Sequence, residues 1–120
     1  MIELLRFNHI NVCVPPEKEE EARQFYVETM GWKEIPKPEV LRDGGGFWVQ
    51  AGAIEWHVSL ESGSKPSRRH VAFEVQSIEE AREYLDKRGI RIKEEKQFPG
   101  FIRFSFFDPF DNRIELMERL

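Results

Sequence analysis

Three histidines, His9, His57 and His70, are the only imidazoles in the chain. Each lies where apolar and polar residues alternate, the pattern of a strand with one buried face. Ile10, Val12 and Val14 share a face in the first such stretch, which turns His9, Asn11 and Cys13 to the other. Ile54, Trp56, Val58 and Leu60 likewise leave Glu55, His57 and Ser59 opposite. Val71, Phe73 and Val75 leave His70 and Ala72, and Ile114 and Leu116 leave Glu115. Imidazole nitrogen with carboxylate oxygen is the donor mix for Zn, Ni, Fe or Mn on a rigid scaffold. Two histidines and one carboxylate keep positions open for a substrate, which suits catalysis. Singly, each histidine reads as a hydrogen-bonded strand residue and Glu115 as a solvated edge charge. Their joint placement favours a divalent metal centre.

The elements that must position them follow from local signals. After the first strand, Pro15-Pro16 stops the chain and Pro16 suits the first turn of a helix. Glu17, Glu19, Glu20 and Glu21 put negative charge at its N-terminus. Ala22, Phe25, Tyr26 and Met30 recur at helical spacing, and Gly31 caps the end. Strands are expected near Trp32–Ile35, Phe47–Ala51 and Ala53–Glu61, with a mobile loop between Pro36 and Gly46. Residues 62–67 are polar and breaker-rich, the best linker in the chain. The same order then recurs. Arg69–Val75 alternates as a strand, Ser77-Ile-Glu-Glu80 is a capping box, and Ile78, Ala81 and Leu85 mark a second helix ending at Gly89. Strands near Ile90–Glu95, Phe101–Phe107 and Arg113–Glu118 close the chain, the last entered through a turn at Asp108-Pro109, Asp111 and Asn112.

Gly31 and Gly89, His9 and His70, and Glu55 and Glu115 are each about 60 residues apart. The reading is an α+β chain of one domain, 1–120, built from two βαβββ modules at about 4–61 and 69–119 whose non-core faces curve around one cavity.

At 120 residues, 40% hydrophobic and 33% charged, the chain can bury one core. A net charge of −4 without a basic stripe argues against nucleic acid and against a membrane surface. No apolar run approaches a membrane helix and the N-terminus lacks a signal-peptide pattern, so a soluble, cytoplasmic protein is expected. The one cysteine, Cys13, reads as a packing thiol near the site. Gly44–Gly46 lacks the Lys and helix start of a phosphate loop.

Asn8-His-Ile-Asn-Val, Phe25-Tyr with Met30-Gly-Trp32, Arg69-His-Val-Ala-Phe-Glu-Val75 and Asp108-Pro-Phe-Asp-Asn-Arg-Ile-Glu-Leu116 together resemble the vicinal oxygen chelate superfamily. That family includes glyoxalase I, fosfomycin-resistance transferases, methylmalonyl-CoA epimerase, extradiol dioxygenases and bleomycin-binding proteins. Trp56-His-Val-Ser-Leu and the Phe98-Pro-Gly-Phe-Ile-Arg-Phe turn resemble small glyoxalase-like members of unassigned substrate. The resemblance implies paired βαβββ modules in an incomplete barrel, a homodimer, and metal ligands on the first, fourth, fifth and eighth strands. Those positions match His9, Glu55, His70 and Glu115. His57, on Glu55's face, is the alternative fourth ligand or a proton shuttle. Arg103 is a candidate for a substrate carboxylate or phosphonate.

The expected function is a metal-dependent lyase or isomerase. The ion would chelate a small oxygenated substrate while Glu55 or Glu115 moves the proton. Two alternatives stand beside it. An iron dioxygenase would use His9, His70 and Glu115. A metal-free antibiotic-binding protein would stack its ligand on Phe47, Trp48, Trp56 or Phe101.

Overall fold

The computed structural model describes residues 1–63, 65 and 67–120. Of the expected linker 62–67, positions 64 and 66 lie outside the described residues. The chain divides into two compact units, Met1–Ser64 and Lys65–Leu120.

Unit 1 begins its regular structure at β1 (His9–Val14), where Ile10, Val12 and Val14 are less exposed than His9 and Asn11. Pro16–Lys18 forms a 3-10 turn, α1 covers Glu19–Arg23, and the helix then widens into a π turn over Gln24–Thr29. The expected helix is therefore continuous but not uniform. The Met30 N–H donates to Phe25 O at 2.8 Å, and the Trp32 N–H to Tyr26 O at 3.0 Å. Gly31 supplies the φ of 74° this ending requires. The wide turn lets two adjacent aromatics, Phe25 and Tyr26, both be buried. Strands β2 (Lys33–Ile35), β3 (Phe47–Ala51) and β4 (Ile54–Leu60) complete the sheet in the order β1-β4-β3-β2, with β1 and β4 parallel. The segment expected to be a mobile loop carries a 3-10 helix, Glu39–Gly44. The core side of this sheet is aromatic: Trp56, fully buried, lies 5.7 Å from Tyr26 and 5.3 Å from Trp32.

Unit 2 repeats the order with β5 (Val71–Glu74), α2 (Ile78–Lys87), β6 (Ile92–Glu94), β7 (Phe101–Phe107) and β8 (Arg113–Arg119), arranged β5-β8-β7-β6. Ser77 caps α2, its hydroxyl accepting the Glu80 N–H at 3.1 Å. The Ile78 N–H is taken by Glu118 Oε2 at 2.7 Å. Ile78 and Leu85 are buried, and the Arg82 guanidinium lies 4.6 Å from the Phe104 ring. Phe104, Phe106, Ile114 and Leu116 form the sheet's buried face. Asp108 builds the turn into β8: its Oδ1 accepts the N–H groups of Phe110 and Asn112 at 2.8 Å each. Asp111 takes the left-handed φ of 71° that Asp tolerates.

The fold is α+β, with two four-stranded mixed sheets and few helices. Among the described residues no helix is long and apolar enough to cross a membrane.

Candidate functional site

In unit 1 the parallel pairing of β1 and β4 sets His9 beside Glu55, Asn11 beside His57 and Cys13 beside Ser59. The antiparallel pairing of β3 and β4 sets Trp48 beside His57. Alternation puts all of these on one face. Three rings stack there in a column: His9 lies 4.1 Å from His57, and His57 lies 3.8 Å from Trp48 with the planes 1° apart. Two rings of the column, the outer His9 and the central His57, are tied to polar groups. His9 Nδ1 meets Asn8 Oδ1 at 2.8 Å, and His57 Nε2 meets Glu55 Oε1 at 3.0 Å. Beneath them Asn11 Nδ2 donates to Ser59 Oγ at 2.7 Å. His57 is buried while Glu55 is partly exposed, so Glu55 is the more accessible of the two candidates for the fourth ligand. This face opens on a cavity of about 540 Å³ lined by His9, Glu55, His57, Trp48, Lys37 and Leu41 among others.

In unit 2 β5 begins at Val71, one residue after His70. The His70 Nδ1–H donates to Arg68 O at 3.0 Å, and His70 Nε2 faces Glu115 Oε1 at 2.9 Å. With Nδ1 carrying the proton, a neutral imidazole presents a lone pair at Nε2, so two acceptors face each other. A proton between them, or a cation bound by both from one side, would make the approach attractive. An imidazole whose other N–H is fixed by a backbone carbonyl is also the arrangement that orients a metal ligand. The donor set present in unit 2 therefore fits a divalent ion. Among the described residues no group of three or more His, Cys, Asp or Glu is gathered to hold one.

Arg103 is placed against Glu115: its Nη1 donates to Glu115 Oε2 at 3.1 Å. Its Nε and Nη2 both donate to Lys96 O, at 3.1 and 2.6 Å, and its guanidinium lies 4.8 Å from the Phe98 ring. The sequence puts this arginine forward for a substrate anion; in the structure Glu115 and Lys96 accept three of its N–H groups.

Arg113, Glu95 and Lys93, which the sequence did not single out, also lie on this face with Ser105. Arg113 donates from Nη2 to Glu95 Oε1 at 2.8 Å and from Nε to Ser105 Oγ at 3.2 Å, and Lys93 lies 3.6 Å from Glu95. Burial is the largest influence on the Glu95 carboxyl and pushes it up. The Ser105 hydrogen bond and the charges of Arg113, Lys93 and Arg103 together outweigh it and hold Glu95 below its ordinary value. Ser105 and Arg113 have Glu115's parity, which was the available signal; Glu95 lies beyond the end of β6, where no alternation marks it. In unit 1 the Cys13 thiol shows the opposite balance. Burial first, then a hydrogen bond and the charge of Glu61, push it up to about 11.

The glyoxalase/bleomycin resistance protein/dioxygenase superfamily model matches residues 6–116. The chain belongs to that superfamily. A glyoxalase family protein from Bacillus anthracis is 43% identical over 100% of this chain and 99% of its own, with a TM-score of 0.90. Two more distant structures share the superfamily fold. TnmS3, an antibiotic binding protein from Streptomyces sp. CB03234, is 20% identical, with 100% of each chain covered and a TM-score of 0.75. A lactoylglutathione lyase from Agrobacterium tumefaciens is 15% identical over 94% of this chain and 92% of its own, with a TM-score of 0.72. No curated protein matches the chain. Of the four ligand positions that the superfamily resemblance implies, His9, Glu55 and Glu115 lie within β1, β4 and β8, and His70 directly precedes β5.

Proposed function

We propose that this superfamily member is a metal-dependent lyase or isomerase acting on a small oxygenated substrate. His70 and Glu115 of unit 2 are metal donors in this reading, and His9 and Glu55 are the corresponding pair of unit 1. The observation that carries the proposal is the 2.9 Å approach of His70 Nε2 to Glu115 Oε1 while His70 Nδ1 is engaged by Arg68 O. Such an ion, once bound, supplies Lewis-acid polarisation of adjacent substrate oxygens.

The chain's own residues divide the remaining work. Glu115 is buried, with Arg103 donating to one of its oxygens and His70 facing the other, so both oxygens are engaged by the protein. Glu55 is the better base. It is partly exposed, faces the 540 Å³ cavity, and has His57 to orient its Oε1. His57 is fixed between two rings and serves to hold Glu55 in place.

Elemental analysis of protein purified without added metal tests the proposal, repeated on His70→Ala and Glu115→Ala. Close to one equivalent in the wild type and a loss in both variants is expected. Equal metal content in all three would overturn it. Ni or Zn would favour isomerase or glyoxalase-type chemistry, and Fe would favour oxygen chemistry. A wild type with no metal would leave the unit 1 cavity as a binding site of the antibiotic-binding kind.

A further inference from the structure

A second cavity in unit 1, of about 350 Å³, shares two lining residues with the first, Lys37 and Trp48. Its other walls include Glu19, Glu34, Arg42 and Gly46. Both carboxylates are already answered from outside the cavity. Arg23 Nε lies 3.2 Å from Glu34 Oε1 and Arg23 Nη2 lies 3.9 Å from Glu19 Oε1, which also accepts the Gly46 N–H at 2.8 Å. The two cations on the wall are not answered in this way. Lys37 Nζ donates to Gly45 O and Arg42 Nε to Lys37 O, and among the described residues neither pairs with a carboxylate. Glu19 and Glu34 share one cation, Arg23, which also pairs with Glu20, whereas Lys37 and Arg42 are held only by backbone carbonyls. Its floor is fixed: Gly46 has φ of 83°, and a Cβ there would lie 2.2 Å from Val58 O of β4. No side chain fits between this backbone and the sheet.

We propose that this chamber is a tail subsite for an anionic group, a carboxylate or a phosphate, on the end of the substrate remote from its reacting oxygens. The proposal rests on the first cavity being the substrate chamber. Trp48 is the wall the ligand crosses, with Lys37 reaching both sides and Arg42 reading the anion at the far end. Lys37 supplies a point charge that tolerates either anion, whereas the planar guanidinium of Arg42 matches two oxygens at once. The remaining guanidinium nitrogens of Arg42 are the donors available for that role. Lys37 is half-buried and Arg42 exposed, and a concave wall that carries both focuses their field on one anion.

The test uses metal-stripped, isotopically labelled protein at fixed ionic strength, so that failure of the metal proposal leaves it intact. Benzyl phosphate, phenylacetate and benzyl alcohol are titrated separately. The Trp48 indole N–H signal, assigned with Trp48→Phe, reports binding. Both anions, or one of them, should shift that signal saturably, and benzyl alcohol should not. The tighter anion names the group. Arg42→Met should weaken binding at least threefold and Lys37→Met/Arg42→Met at least tenfold, while Lys87→Met, on the exposed end of α2, should change nothing. The double variant's remaining amide spectrum reports whether unit 1 stays folded; Arg42→Met alone carries the test where it does not. Equal binding of the neutral alcohol, no binding of either anion, or undiminished binding in folded variants would overturn the proposal.

Discussion

In unit 1 the acidic residue of the central pair, Glu55, is held by one ring nitrogen, and that ring is held by stacking between His9 and Trp48. In unit 2 the equivalent Glu115 is held by His70 and by Arg103, with Arg113, Glu95 and Lys93 charged beside them on one face. The strand order and the parallel pairing are the same in both. The register of the histidine is not. His9 is the direct partner of Glu55, whereas Glu115 is partnered by Ala72 and its histidine lies two residues upstream. The comparison teaches that a repeated backbone can conserve where a donor sits while its support is built from different physics. Stacked rings leave a face that opens on a cavity. An ion network instead fixes a buried carboxylate.

The largest expected effect comes from cutting the charged support. Arg103→Ala would strand Glu115, whose side chain is 5% exposed, and should cost about 3 kcal/mol of stability by urea denaturation. The matching change in unit 1, Arg23→Ala, removes ion pairs to Glu19 and Glu34 that are far more exposed, and should cost about 1 kcal/mol or less. Equal losses would erase the distinction between the units. The intermediate effect is on the stacked support. Trp48→Leu should cost about 1 kcal/mol and Trp48→Phe much less, because a ring pair adds roughly that much beyond its buried area. The imidazole NMR signals of His57 should move in the Leu variant and stay near their places in the Phe variant. Unmoved signals in both would show that the column does not hold His57.

Backbone elements bounded by strong punctuation were legible in the sequence. Phe101–Phe107 and Phe47–Ala51 have the bounds expected of them, since Gly100, Asp108, Gly46 and Gly52 stop the alternation at each end. Where alternation outran the ladder the reading overshot: Arg69 and His70 continue the pattern of β5 but precede its first pair, Val71 with Ile114. The wide turn at Gln24–Thr29 was invisible because Ala22, Phe25 and Tyr26 satisfy an ordinary helical period as well. For the site, parity placed His9, Glu55, His57, Ser59, Ser105 and Glu115 on the non-core faces of their strands, and parity depends only on each strand alone. Which of them touch depends on register between strands, which periodicity does not encode. Hence periodicity did not reveal that Trp48 stacks on His57 or that Arg103 donates to Glu115 across its sheet.

The smallest expected effect concerns the two groups whose ordinary values move in opposite directions. Burial pushes both Glu95 and Cys13 toward their neutral forms. Three cations and a hydroxyl reverse this for Glu95, whereas Glu61 reinforces it for Cys13. A thiol raised to about 11 in the folded chain, from 9.0 unfolded, contributes stability that is intact below pH 9 and is lost as the pH rises through 11. Glu95, lowered on folding, contributes stability that is present above its unfolded value and lost as acid takes the pH down through its folded one. At pH 8 the thiolate fraction of Cys13 should be about a hundredfold below that of an unstructured thiol. The more basic thiolate is intrinsically more nucleophilic, which returns about a factor of ten, so iodoacetamide should react about tenfold more slowly. Glu61→Gln should recover part of that rate and leave the rest, because burial is the larger cause. Full recovery would mean that charge alone governs this face of unit 1. It would then follow the same electrostatic rule as unit 2, with the sign reversed.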